Sequence, residues 1–125
     1  VARAIPGFRT FAGTEQYLLA ILKEGGAGCI TATGNATSML CRDVYAAYLS
    51  GEMLAAETAQ ETATATRLML QAHGAVPAMK ELMAQNSGNT AWRNMRPPML
   101  PLSVSGAATL NKSCADLGFT LAKAA

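Results

Sequence analysis

Two short extended runs joined by a helix constrain this chain more than any other feature. Phe8-Arg9-Thr10-Phe11-Ala12 alternates, carries two aromatic residues and stops at Gly13, which predicts a strand running into a turn. Cys29-Ile30-Thr31-Ala32-Thr33 is a second β-prone run, closed by Gly34-Asn35. Between them Thr14 is placed to cap a helix. Tyr17, Leu18, Ile21 and Leu22 recur at helical spacing, and Gly25-Gly26 stops the helix after Lys23 and Glu24. Strands linked through a helix pair in parallel, and parallel sheets are covered on both faces. Two strands cannot supply that cover, so the extended part of the chain calls for partners beyond itself.

The remainder reads as helix. Leu40, Val44, Tyr45, Tyr48 and Leu49 keep a helical period over 39–50, with Thr37 or Ser38 as cap and Gly51 as terminator. A longer helix is expected over 52–73, with Leu54, Ala65, Leu68, Met69 and Ala72 on its buried side and Gly74 ending it. Pro77 suits the first turn of a helix over 78–85, and Asn86-Ser87-Gly88-Asn89 reads as a loop. A short turn around Ala91-Trp92-Arg93 leads into Arg96-Pro97-Pro98-Met99-Leu100-Pro101-Leu102, where each proline biases its predecessor away from helix. Ser103 or Ser105 then caps a last helix that runs through Leu117 and ends at Gly118.

Composition removes several classes of function. Half of the residues are hydrophobic and 14% are charged, so the chain can bury a core and is not a disordered tail. A net charge of +2 comes from ten basic residues scattered among eight acids, which gives no concentrated surface for nucleic acid or anionic membrane. Lys23, Glu24, Arg42 and several threonines break the apolar stretches short of a membrane span. Residues 1–7 lack the pattern of a secretory signal, and the start at Val1 leads us to expect a chain trimmed from something longer. Cys29, Cys41 and Cys114 are odd in number and widely spaced, which suits free thiols in a reducing cytoplasm.

Conventional catalytic constellations are missing. His73 stands alone at an expected helix end, where a cation meets the negative pole of the dipole, and no metal site is expected from one histidine among dispersed carboxylates. Gly25-Gly26-Ala27-Gly28 precedes a strand, whereas a phosphate-cradling loop follows one, so it reads as a tight turn. Gly34-Asn35-Ala36-Thr37-Ser38 does join a strand to a helix, which makes it a candidate anion site, although ordinary capping explains it as well. Trp92, Tyr45 and Tyr48 are expected in core packing rather than on a stacking platform. The stronger candidate is Gly13-Thr14-Glu15, at the carboxyl end of a parallel strand, where barrel enzymes place substrate-contacting groups. A hydroxyl and a carboxylate there can bind a polar substrate, and Thr14 can equally cap while Glu15 favours the positive helix terminus.

Three stretches carry a resemblance. They are Phe11-Ala12-Gly13-Thr14-Glu15, then Gly25-Gly26-Ala27-Gly28-Cys29-Ile30-Thr31-Ala32-Thr33-Gly34-Asn35, and finally Arg96-Pro97-Pro98-Met99-Leu100-Pro101-Leu102. Taken in this order and spacing, the chain resembles the carboxyl-terminal part of the dihydrodipicolinate synthase / N-acetylneuraminate lyase family. The resemblance implies an α/β fold, mostly α by content: the last two βα units of a TIM (β/α)8 barrel over 1–50, then a carboxyl-terminal helical region over 51–125. It implies that residues 8–12 and 29–33 are strands seven and eight of the barrel. It also implies Schiff-base chemistry on pyruvate or another 2-oxo acid, without a cofactor. Gly13, Thr14 and Glu15 would then help select the distal part of the substrate. Ile30 and Thr31 would stand beside the reacting lysine and its adduct, with the Ile30 carbonyl facing the reaction centre.

The departure from the family pattern lies in what precedes Val1. The Schiff-base lysine, the tyrosine proton relay and the threonine pair that holds the substrate carboxylate belong to earlier strands. Lys23, Lys80, Lys112 and Lys123 fall in expected helices or the tail, whereas an attacking lysine must be desolvated and close to deprotonation. The chain alone is therefore expected to be inactive as a lyase. Its strands would need the missing part of the barrel or a second copy to cover them, and a homo-oligomer is expected. A different reading is a non-catalytic helical interaction or oligomerisation module that keeps the relic of a barrel end.

Overall fold

The computed structural model describes residues 4–121, which form two compact units divided between Ala65 and Thr66. In the first unit β1 (Phe11–Ala12) and β2 (Gly28–Cys29) pair in parallel, with Phe11 opposite Gly28 and Ala12 opposite Cys29. The Ala27 N–H donates to the Thr10 carbonyl at 2.8 Å and the Ile30 N–H to the Ala12 carbonyl at 2.9 Å, which extends the ladder at both ends. The parallel arrangement is the one that the intervening helix demands. Both strands are shorter than the β-prone runs, and β2 begins one residue earlier than expected. Among the described residues each run has only the other to pair with, and residues 8–9 and 31–33 lie outside the ladder.

Thr14 caps the segment after β1, its Oγ1 accepting the Gln16 N–H at 3.3 Å. A 3-10 turn over Glu15–Tyr17 leads into α1 (Leu18–Lys23). The return to β2 is tight at Gly26, where a Cβ would lie 2.4 Å from Ile21 Cγ1 and 2.9 Å from the Ile21 carbonyl oxygen, so only glycine fits. Leu18, Leu19 and Leu22 of α1 pack with Val44, Ala56 and Ala63 to form the core of this unit. Tyr48 packs against this core and donates its hydroxyl to the Leu22 carbonyl at 2.9 Å. Tyr45, expected in the core, is exposed.

The second long element, α2 (Gly34–Leu49), begins five residues before the expected start and breaks helical geometry at Thr37 (φ −115, ψ 16). Neither Thr37 nor Ser38 is its cap. Thr33 precedes the helix and makes no capping bond, because its hydroxyl is committed elsewhere. α3 (Met53–Ala72) matches the expected span to within one residue at each end, but its face does not. Its buried positions are Ala56, Ala63, Thr66 and Leu70, while Leu54 is 80% exposed and Leu68 and Ala72 are also exposed. A helix this rich in Ala and Thr has a weak apolar stripe. Small residues, which allow close approach, turn inward beside Leu70, while Leu54 and Leu68 face outward.

In the second unit α4 (Ala75–Ser87) has Pro77 in its first turn, where the missing N–H costs nothing, and ends at left-handed Gly88 (φ 70). Asn86 and Ser87 are thus helical rather than loop. A 3-10 turn over Thr90–Arg93 is capped by Asn89, whose Oδ1 accepts the Ala91 N–H at 3.0 Å. The Trp92 side chain lies on the outside of this short turn and is exposed, contrary to its expected place in a core. Residues 96–102 are non-helical, with a turn at Pro97-Pro98 closed by the Met99 N–H on the Arg96 carbonyl at 3.2 Å. Ser103, not Ser105, caps α5 (Val104–Leu117), its Oγ accepting the Gly106 N–H at 3.0 Å, and Gly118 ends the helix. The Nε2 atom of His73 lies 3.0 Å from Ser113 Oγ.

Candidate functional site

The connections after β1 and β2 lie side by side because the strands are parallel, and together they build one rim. Gly13 is exposed there, Thr14 and Thr31 are half-buried, and Ile30 is 71% exposed. Glu15 is 0% exposed. Its Oε2 accepts the Thr31 hydroxyl at 2.6 Å, and its Oε1 accepts the Thr33 hydroxyl and lies 3.1 Å from the Thr37 hydroxyl. Thr37 Oγ1 is also 2.9 Å from the Thr33 carbonyl, and the Thr31 and Thr33 hydroxyl oxygens are 3.0 Å apart. Three threonines from the second connection thus enclose the carboxylate of the first.

Burial by itself raises the proton affinity of Glu15. The hydrogen bonds from Thr31, Thr33, its own backbone N–H and Thr37 outweigh it, so its pKa falls below the ordinary glutamate value. Glu15 is thus held as a carboxylate at neutral pH although its side chain is fully buried. The carboxylate sits against the first turn of α2 through Thr33 and Thr37. In the Gly34-Asn35-Ala36-Thr37-Ser38 segment the Asn35 N–H donates to the Ala32 carbonyl and the Ala36 and Thr37 N–H groups to the Thr33 carbonyl, while the Thr37 hydroxyl is the group that reaches Glu15.

Of the residues singled out from the sequence, Glu15 and Thr31 meet directly, and Gly13, Thr14 and Ile30 flank them on the two connections. Sequence reasoning gave no site role to Thr33 or Gln60, and named Thr37 only as a cap or as part of an anion segment, not as a partner of Glu15. A signal for the threonines was present: 31 and 33 share one face of an extended run, while 33 and 37 share one face of a helix. Gln60 gave none, being 45 positions from Glu15, whose carbonyl its Nε2 reaches at 2.9 Å.

No activated nucleophile stands at the rim. Burial, with the neighbouring Cys41 and Glu15, pushes the Cys29 thiol up to about 12, and burial with Glu15 raises Cys41 as well. Lys23 reaches Glu57 at 3.0 Å, Lys80 donates to the Asn94 carbonyl and Lys112 reaches Asp116 at 2.7 Å. All three lie on helices, and Lys123 lies outside the described residues. Among the described residues no three His, Cys, Asp or Glu side chains gather into a metal-binding group, and no helix is long and apolar enough to cross a membrane.

The model of the dihydrodipicolinate synthetase family matches residues 1–116. The chain belongs to that family. It is 35% identical over 107 residues to an uncharacterized DapA-like lyase of Chloroflexus aurantiacus, covering 84% of this chain and 34% of that protein. It is 32% identical over 112 residues to a 4-hydroxy-tetrahydrodipicolinate synthase of Halorhodospira halophila, covering 86% of this chain and 35% of that one. The chain thus spans about a third of the length of the curated relatives it matches. In fold it is similar to YagE, a prophage protein of the dihydrodipicolinic acid synthase family from E. coli K12 solved in complex with pyruvate. The TM-score is 0.78 and the identity 24%, over 94% of this chain and 40% of that one. The small parallel sheet and the helices are accordingly part of this family's barrel architecture.

Proposed function

We propose that this chain is the carboxyl-terminal part of a class I lyase or synthase that forms a Schiff base with pyruvate or a related 2-oxo acid. The observation that carries the reading is the parallel pair β1–β2 with its two connections locked together at one rim, in a family member that spans a third of its relatives. In the intact enzyme β1 and β2 are strands seven and eight, and residues 51–125 are the appended helical region. The attacking lysine is supplied by an earlier strand. Its amine adds to the keto carbon and water leaves to give the imine. The Ile30 carbonyl and Thr31 line the reaction centre, and Gly13, Thr14 and Glu15 shape the end that receives the distal part of the substrate or an aldehyde. Because the Glu15 carboxylate is enclosed, it acts on the substrate through Thr31 and through the shape of the rim.

The missing barrel strands, or a second copy of the chain, cover Phe8, Phe11 and Ile30, which are exposed here. A homo-oligomer accords with that need, and free Cys29, Cys41 and Cys114 accord with a reducing cytoplasm. The reading is tested by treating the polypeptide with its upstream sequence with pyruvate and borohydride, which reduces the imine to a stable amine. Mass spectrometry is expected to find one adduct per chain on a lysine upstream of Val1. An adduct on Lys23, Lys80, Lys112 or Lys123, or none at all, would overturn it.

A further inference from the structure

Gln60 lies in α3, and its side-chain amide enters the first turn of α1. Its Oε1 accepts the Leu19 N–H at 2.8 Å, and its Nε2 donates to the Glu15 carbonyl at 2.9 Å and to Thr64 Oγ1 at 3.0 Å. Leu19 and Glu15 are four residues apart, so their N–H and carbonyl are a pair that a regular α-helix joins directly. A carboxamide carries one acceptor and two donors, so it can bridge such a pair and still hold Thr64. The backbone registers the insertion. Residues 15–17 are 3-10, and the Leu18 N–H turns to the Glu15 carbonyl three residues back. A side chain entering the hydrogen-bond ladder is a recognised cause of such a distortion.

Glu15 is thereby held at both ends, its carbonyl by Gln60 and its carboxylate by Thr31, Thr33 and Thr37. We propose that Gln60 is a positioning residue whose amide, spliced between Leu19 and Glu15, aims the Glu15 side chain into the threonine cage. The placement of the rim is thus tied to α3. The consequence for catalysis rests on the proposed lyase reading, whereas the positional claim does not, and the test reads position alone.

The test is a carbon-detected NMR titration of the Glu15 carboxyl in the full 125-residue chain, in Gln60→Leu and in Gln60→Glu, with Gln71→Leu as an exposed-glutamine control. Gln60→Glu keeps the size and the acceptor for Leu19, and loses the donor to Glu15. Gln60→Leu is expected to titrate Glu15 at higher pH than the parent because the cage bonds loosen, and Gln60→Glu at higher pH still because it also sets a second carboxylate beside Glu15, while Gln71→Leu matches the parent. Cys29 and Cys41, which also neighbour Glu15, stay protonated throughout that range. Folded Gln60 variants with an unmoved Glu15 titration would overturn the proposal. Should the variants not fold, hydrogen exchange of side-chain amides in the parent decides. Gln60 is expected to exchange about tenfold or more slowly than Gln71, and equal rates would overturn the proposal.

Discussion

Thr31 donates its hydroxyl to Glu15 Oε2 at 2.6 Å, across 16 residues of chain. That bond fastens the connection after β1 to the connection after β2. With only two ladder residues in each strand, the rim owes its definition as much to this side-chain contact as to the sheet.

Removing a hydroxyl from the cage costs more than removing the cap beside it. Thr33 is fully buried and bonded to an ionised carboxylate, so Thr33→Val is expected to lower stability by about 2 kcal/mol. Thr14 makes a 3.3 Å bond at a half-buried site, and Thr14→Val is expected to cost about 0.5 kcal/mol. Urea unfolding of the two variants against the parent checks the ranking, and equal losses would contradict it.

Stability should fall on the acid side through two carboxyls. Burial raises Glu15, yet its threonine bonds bring it below the ordinary value, and the bond from Arg93 lowers Glu81. A carboxyl whose native pKa is depressed contributes fully above the unfolded value, about 4.3, and the contribution is lost as pH falls through the native one. Unfolding midpoints measured from about pH 6 down to pH 3 should therefore drop steeply. The double variant Glu15→Gln, Glu81→Gln should show a flatter acid limb than the parent.

Arg93 grips the buried Glu81 with two nitrogens, at 2.6 and 2.8 Å, and joins the 3-10 turn to α4. Its side chain is 39% exposed, so water screens the pair in part. Arg93→Ala leaves Glu81 with Gln85 as its remaining side-chain donor and should lower the denaturation midpoint. Arg93→Lys should recover only part of this, because an ammonium cannot reproduce the two-toothed contact. Chemical denaturation of both variants is the check.

The Cys29 thiol, pushed up to about 12, should resist alkylation. At about pH 8 the thiolate fraction is of order one in ten thousand, so iodoacetamide should label folded Cys29 at least about a hundredfold more slowly than the unfolded chain. Peptide mass spectrometry over time reads this directly, and labelling at the unfolded rate would contradict it.

Punctuation in the sequence was the most legible part of the fold. Gly74 and Gly118 stand at helix boundaries with positive φ, as expected, and Ser103, one of two expected caps, caps α5, whereas Gly88 and Asn89, read as loop, end one helix and cap the next turn. Strand length was not legible, because β propensity in residues 8–12 and 29–33 says nothing about how many partners are present to pair with. The buried face of α3 was missed for a similar reason. Leu54 and Leu68 look like core residues in isolation, yet the helix turns Ala56 and Ala63 inward. At the rim, Glu15 was found but its enclosure was not, since that depends on Thr33 and Thr37 arriving from another segment and on Gln60 from a third.

The most direct measurement of the central claim, that β1 and β2 complete a barrel begun elsewhere, is light scattering on the purified 125-residue chain with hydrophobic-dye fluorescence on the same sample. Exposed Phe8, Phe11 and Ile30 predict either strong dye binding or association into a larger species. A well-behaved monomer that binds no dye would contradict the account.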